Sequence, residues 1–181
     1  IRMYDLWFDT PPEQFTYIHD FVLKTRAIMY GKEADCIGMA SCSHTNISTD
    51  PVGDIFACAT LSGHDDTRYG NLVNEPLESI MRSNTALNYR LREVDPDCAK
   101  CKWQHVCHGG CPARSYKFFN NHHQRDYYCP SLFKIYDHIE NRLAEKGVAP
   151  ALPHPDHMTD GLDFMVQEAA QASRRVTLRI V

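Results

Sequence analysis

The chain has 181 residues, 43% of them hydrophobic and 23% charged, with a net charge of −4. That length carries one domain with a real core and crowds two. No apolar run approaches the roughly 20 residues that span a bilayer, which excludes a membrane protein, and the mild acidity argues against a surface that coats nucleic acid. The opening Ile1-Arg2-Met3-Tyr4-Asp5 has neither an initiator Met nor a secretory signal. A fragment or processed chain, acting in the cytoplasm, is expected.

Thr10-Pro11-Pro12-Glu13 reads as a capped helix start, with Phe15, Ile18, Val22 and Met29 following at helical spacing and Gly31 as the stop. Asn46–Thr49 and Asp54–Ala57 flank Asp50-Pro51-Val52-Gly53, which is turn chemistry, and predict a β-hairpin. Residues 62–74 read as a polar loop. Pro76 opens a short helix through Leu77, Ile80 and Met81, and a second short helix covers Leu87 to Leu91 before Asp95-Pro96-Asp97 breaks it. Pro112 begins a helical turn through Tyr116 and Phe119, and Asn120 to Arg125 is polar. Pro130 starts a strong helix with Leu132, Phe133, Tyr136, Ile139 and Leu143 on one face and Gly147 beyond its end. Prolines crowd residues 148–158, a linker. A short helix from Thr159 to Ala172 and a strand from Val176 to Val181 complete the expectation.

Eight cysteines dominate the chemistry: Cys36, Cys42, Cys58, Cys98, Cys101, Cys107, Cys111 and Cys129. The second half is dense, with Cys98-x2-Cys101-x5-Cys107-x3-Cys111 inside fourteen residues. Two intervening residues let both thiolates of a pair face one metal site. Disulfides fit poorly, because there is no secretory signal and the spacings are too short. Counts alone leave zinc and iron–sulfur clusters both open, since eight cysteines also make two four-thiolate zinc sites. A zinc-stapled structural or binding module without a redox role is therefore the alternative reading.

The full register, Cys42-x10-Gly53-x4-Cys58, then the dense group, then Cys129, resembles the SPASM domain of radical S-adenosylmethionine enzymes. His108-Gly109-Gly110-Cys111-Pro112, Tyr69-Gly70-Asn71-Leu72 and Pro76-Leu77-Glu78-Ser79-Ile80 resemble segments of the same family. Cys36 resembles its extra upstream ligand. The resemblance implies an α+β fold: a small hairpin and cysteine knuckle with flanking helices, in which two metal clusters replace much of the core. It implies two 4Fe–4S clusters, one held by Cys36, Cys42, Cys58 and Cys111, the other by Cys98, Cys101, Cys107 and Cys129. It divides the chain into a bridging strand and helix at 1–31, leaving a missing radical S-adenosylmethionine barrel, a SPASM domain at 32–146, and a linker with a C-terminal extension at 147–181. It also implies a precursor peptide or protein as substrate and a flavodoxin- or ferredoxin-type reductant, with S-adenosylmethionine bound only in the upstream barrel.

Two departures qualify that resemblance. No C-x3-C-x2-C triplet, the family's S-adenosylmethionine-cleaving motif, occurs in these residues, so the chain alone is expected to make no radical, and no residue is assigned a catalytic role. Ala59 follows Cys58, where anaerobic sulfatase maturases carry an Asp. A methyl group cannot take a proton, and peptide maturases of ribosomal products are the expected match. Around the knuckle, Trp103, His105, His108 and His44 are either packing residues or N–H donors to sulfur. His122-His123 reads as a solvated pair. Arg68, Arg90 and Arg92 read as surface arginines, with an acidic leader peptide as the functional alternative. Tyr127 and Tyr128 are expected to pack against a cluster.

Overall fold

A computed structural model describes residues 1–31, 36–40 and 42–149. The expected linker and C-terminal elements from residue 150 onward lie outside the described residues. The chain runs α1 (Arg2–Phe8), α2 (His19–Tyr30), α3 (Cys42–Thr45), β1 (Ser48–Thr49), β2 (Asp54–Phe56), β3 (Arg68–Asn71), α4 (Leu77–Ile80), α5 (Asn84–Arg90), α6 (Gln104–Cys107), α7 (Pro112–Phe119) and α8 (Cys129–Glu145), with short 3-10 turns between them. This is the expected α+β arrangement: helix-rich, with one three-stranded antiparallel sheet in the order β1-β2-β3.

Two apolar cores organise these elements. The first joins α1, α2, α6 and α8 through Tyr4, Ala27, Ile28, Val106, Leu132, Tyr136, Ile139 and Leu143, together with Trp103. On α8 the positions 132, 136, 139 and 143 fall on one face of a helix, as the apolar period requires. Tyr4 is fully buried. Its ring meets Trp7, Phe8 and Phe21 at 5.4–5.5 Å between centroids, and its hydroxyl shares a 2.8 Å hydrogen bond with Thr25 Oγ1. At the rim of this core Arg142 pairs with Asp9 at 2.5 Å and His138 Nε2 with Asp5 Oδ1 at 2.5 Å, tying α1 to α8.

The second core lies on the sheet. Ile55, Ala57, Leu61, Tyr69, Ile80, Ala86, Tyr89 and Ala113 bring β2, β3, α4, α5 and α7 together. The hairpin forms as its turn chemistry predicts, with Ser48 opposite Phe56 and Thr49 opposite Ile55. Its turn is closed by Asp50, whose carboxylate accepts the N–H groups of Val52 and Asp54.

Three local expectations need correction. The helix expected over residues 11–30 starts only at His19. Thr10 does not cap it; its hydroxyl donates to the Leu6 carbonyl at 2.7 Å and closes α1 instead. Pro12–Gln14 makes one 3-10 turn, and Trp7 Nε1 donates to the Thr16 carbonyl at 2.8 Å, anchoring the segment before α2. The loop expected over 62–74 contains β3, which pairs with β2 through Asp54–Asn71 and Ile55–Gly70. Polar contacts fasten it: Asp54 accepts from Asn71 Nδ2 at 2.7 Å and from Arg68 at 3.1 Å. The asparagine hydrogen bond, with help from Arg68, holds the Asp54 carboxyl below its usual range. The short helix expected over Leu87 to Leu91 is α5, beginning at Asn84, because Ser83 accepts the Ala86 N–H as its cap.

Candidate functional site

None of the eight cysteines is joined in a disulfide. Most of them lie at the ends of elements. Cys42 opens α3, Cys58 leads from β2 into a 3-10 turn, and Cys111 caps α7. Cys98 sits in the 3-10 turn Pro96–Lys100, Cys101 follows that turn, Cys107 ends α6 and Cys129 begins α8. Cys36 is exposed.

The knuckle separates its own cysteines. His108, Gly109 and Gly110 are three successive left-handed residues, at φ 47°, 81° and 72°, so the chain reverses between Cys107 and Cys111. Cys101 and Cys107 therefore pack against the helical core, whereas Cys58 and Cys111 pack against the sheet core. A Cβ on Gly110 would come within 2.5 Å of the Asp126 Cβ, so only glycine fits at this point.

Two cavities have cysteines in their walls, four in one and one in the other. One, of about 190 Å³, is lined by Cys98, Cys101, Cys107 and Cys129 with Arg125, Asp126 and Phe133. The other, of about 180 Å³, is lined by Cys42 with His44, Tyr89, Arg90, Arg92 and His108. Burial pushes the Cys107 thiol up to about 12, with further elevation from Cys129, Asp126, Cys98 and Cys101. Burial likewise pushes Cys98 up to about 11, aided by Asp95, Cys129 and Cys101. Cys42 is raised by burial against a hydrogen bond to Ser43, and the cysteines that raise it further are Cys36, Cys111 and Cys58. The thiols thus feel one another in two groups. Metal binding displaces thiol protons, so a cation bound at Cys42, Cys98 or Cys107 would have to overcome this elevation. Among the described residues, no three His, Cys, Asp or Glu side chains are arranged to hold a single metal ion.

Asp126 links the two groups, a role the sequence reading missed. It is 2% exposed. Its carboxylate accepts the N–H of Cys111 at 2.8 Å, the N–H of Tyr128 at 2.8 Å and Nε of Arg114 at 2.9 Å. Its backbone N–H donates to the Gly109 carbonyl, and its own carbonyl accepts from Cys129 N–H, both at 2.9 Å. The one sequence signal was an Asp two residues before Tyr128 and three before Cys129, the pattern of a side chain that folds back on its own backbone.

Several secondary candidates turn out to hold structure. Trp103 Nε1 donates to Asp137 Oδ1 at 2.8 Å, so it does not point at sulfur. His44 Nε2 lies 2.6 Å from the Arg90 carbonyl, and burial lowers its pKa. Burial also lowers His105, against a hydrogen bond to the Lys102 backbone. His122 is not solvated: it is buried, stacks on Tyr89 at 3.9 Å and reaches the Asn88 carbonyl at 3.2 Å. His123 reaches the Glu93 carbonyl at 3.1 Å. Arg92 spans the knuckle, donating to the carbonyls of Gly110 at 2.9 Å and Gln124 at 2.8 Å, and Arg90 donates to Met81 at 3.1 Å. Arg68 holds the sheet, as described above. Tyr127 and Tyr128 are half-exposed, and Tyr127 stacks on Phe118 at 3.7 Å. Phe133, expected on the buried face of α8, instead stands at the mouth of the Cys98 cavity.

Residues 36–102 match the family model described as SPASM, an iron–sulfur cluster-binding domain. The cysteine-type anaerobic sulfatase-maturating enzyme of Clostridium perfringens (strain 13 / Type A) is 24% identical over 145 residues, 78% of this chain and 39% of that enzyme. The serine-type enzyme of Klebsiella aerogenes is 29% identical over 94 residues, 51% of this chain and 23% of its own length. The structure of native anSMEcpe with bound AdoMet superposes with a TM-score of 0.62 at 22% identity, over 80% of this chain and 40% of that one. Its form with AdoMet and the Cp18Cys peptide gives 0.55. The chain thus spans well under half the length of these relatives. Residues 36–102 thus match an iron–sulfur cluster-binding domain, and the chain is similar over part of their length to the anaerobic sulfatase-maturating enzymes.

Proposed function

We propose that this chain is the auxiliary-cluster region of a radical S-adenosylmethionine enzyme that modifies a peptide or protein, and that it holds two 4Fe–4S clusters. Cys36, Cys42, Cys58 and Cys111 would hold the first, and Cys98, Cys101, Cys107 and Cys129 the second. The observation that carries this reading is that Cys98, Cys101, Cys107 and Cys129 line one cavity while Cys42 lines another and Cys58 and Cys111 pack against the sheet core. Zinc is tetrahedral with Zn–S near 2.3 Å, which needs four sulfurs within about 4 Å of one another. Four cysteines around one cavity suit a cube that binds each thiolate on a separate iron.

The donor set fits such a group. Sulfur bound to a cluster carries negative charge, and the buried polar atoms beside Cys42 that lack partners are donors: the hydroxyls of Tyr69 and Tyr89 and Nε of Arg90 and Arg92. When bound, each cluster supplies one-electron transfer without an open iron. The protein keeps water away with Tyr69, Leu61 and Ala113 on the sheet side and Trp103, Val106 and Leu132 on the helical side. Asp126 and Arg92 hold the knuckle in the one shape that feeds both groups. Two four-thiolate clusters take the formal charge from −4 to about −8, which favours a neutral or basic face on a flavodoxin- or ferredoxin-type reductant.

The same reading assigns residues 1–31 to the connection with a radical S-adenosylmethionine barrel, 32–146 to the SPASM domain and 147–181 to an extension, in a protein of the cytoplasm. Among the described residues no helix is long and apolar enough to cross a membrane. The substrate class has support from two sides. The relatives are maturases, and two of the matching structures carry peptides, Cp18Cys and Kp18Cys. Within that class the matched relatives are sulfatase-maturating enzymes, whereas Ala59, exposed directly after Cys58, favours modification of ribosomal peptides.

Anaerobically reconstituted protein is expected to lose its visible absorption on addition of dithionite and to give two reduced-cluster paramagnetic signals. S-adenosylmethionine should neither perturb those signals nor be cleaved to 5′-deoxyadenosine. Cleavage above a cluster-free control would mean an open iron and a cysteine wrongly assigned, with Cys36 the first to examine. A colourless, redox-silent protein would replace this reading with the zinc-stapled module.

A further inference from the structure

Among the described residues, five buried side-chain nitrogen or oxygen atoms have no hydrogen-bond partner. Four of them gather at one place. Tyr89, Arg90 and Arg92 line the same cavity as Cys42, and Tyr69 and Tyr89 belong to the core against which Cys58 and Cys111 pack. The fifth, Nε of Arg142, stands 3.4 Å from Asp5 in the helical half. A buried polar group without a partner is costly, and a native fold keeps one only where something else satisfies it.

The four atoms have one chemistry. Arginine Nε can only donate, and a phenol hydroxyl donates readily. They cannot swing to water either. Tyr69 and Tyr89 are 4% and 3% exposed. The guanidinium groups are pinned by their other nitrogens, Arg90 on the Met81 carbonyl and Arg92 on the carbonyls of Gly110 and Gln124. The missing partner is therefore an acceptor seated among Cys42, Cys58 and Cys111. The other cavity is built differently: Asp97 and Asp126 face it with Arg125, whose charge is already taken by Asp97 at 3.1 Å.

We propose that Tyr69, Tyr89, Arg90 and Arg92 donate hydrogen bonds to sulfur at the site of Cys36, Cys42, Cys58 and Cys111, and that these bonds make its cluster the more easily reduced of the two. This rests on the reading that both cysteine groups hold 4Fe–4S clusters. One electron added by an external reductant takes such a cluster from about −2 to about −3. The added charge spreads onto sulfur, so donors there stabilise the reduced state more than the oxidised one and raise the potential. The second site has none of these four donors, and the Asp126 carboxylate that lines it is already paired with Arg114. Electrons reaching the pair thus settle on the first cluster.

The test is a redox titration of the reconstituted protein with dithionite and mediators, followed by electron paramagnetic resonance, in Tyr69→Phe, Tyr89→Phe and the double variant. Phenylalanine keeps each ring in its core and removes only the hydroxyl, so iron content should stay at the wild-type level. The double variant should lower the reduced-to-oxidised ratio of the first cluster about tenfold at fixed poise, about 59 mV for one electron, with the second cluster unchanged. An exchangeable-proton coupling on the first cluster should vanish in deuterium-exchange comparison. Unchanged potentials, or a shift confined to the second cluster, would overturn the assignment. Cys58→Ala, measured alongside, separates this from the underlying reading. If that variant keeps all wild-type iron, the first cluster is not where it was placed. If it loses half the iron while the tyrosine variants leave the potentials unmoved, only the hydrogen-bond assignment fails.

Discussion

Asp126→Ala is expected to destabilise the protein by about 3–5 kcal/mol and to lower the occupancy of both clusters together. The carboxylate is buried and faces Arg114, which closes on it with two nitrogens. Removing one member of a buried ion pair leaves the other charge uncompensated. Here it also leaves the N–H groups of Cys111 and Tyr128 without their acceptor. One lost acceptor thus loosens Cys111 of the first group and the turn that presents Cys129 of the second. Asp126→Asn, which keeps the size and one acceptor, should cost less than the alanine change. Anaerobic urea unfolding with iron analysis reads both effects. A loss below about 1 kcal/mol, or depletion confined to one cluster, would show that Asp126 does not join the two groups.

Cys111→Ala is expected to abolish the signal that Cys42→Ala abolishes and to leave the signal that depends on Cys98, although Cys111 lies four positions from Cys107 and thirteen from Cys98. Three left-handed residues turn the chain between Cys107 and Cys111, and Cys111 then packs with Cys58 against the sheet core while Cys107 packs in the helical one. The charges that raise the Cys42 thiol include Cys111 and Cys58 and none of the knuckle's other cysteines. Comparing the paramagnetic spectra of the three variants checks this. A Cys111→Ala spectrum that matches Cys98→Ala would mean that the knuckle is one contiguous site.

How far the sequence revealed this arrangement differs by element. The hairpin was legible because Pro51 and Gly53 carry turn chemistry in their own residue types. The α8 stripe was legible because an apolar period of 3.6 survives any change of neighbours. β3 was not, because Asp54 holds Arg68 and Asn71 through polar side chains, and a strand fastened that way reads as a loop. The break between Phe8 and His19 was hidden by a Thr-Pro-Pro-Glu run that imitates a helix start, while the tryptophan contact that governs it spans nine residues. The cysteine spacing pointed to metal, yet spacing alone could not divide eight thiols into two groups. The separation of Cys107 and Cys111 onto different cores depends on backbone conformation at His108, a residue with no special claim to the left-handed region. His122 and Asp126 were misjudged or missed for a shared reason. Each sits in a polar stretch and is buried by a partner distant in sequence, Tyr89 and Arg114 respectively.

The central claim is that the eight thiols hold two iron–sulfur cubes. Iron, acid-labile sulfide and zinc should be determined per chain on protein purified and reconstituted without oxygen. The account predicts about eight iron and about eight sulfide with no stoichiometric zinc. Two zinc ions and no sulfide in that preparation would contradict it.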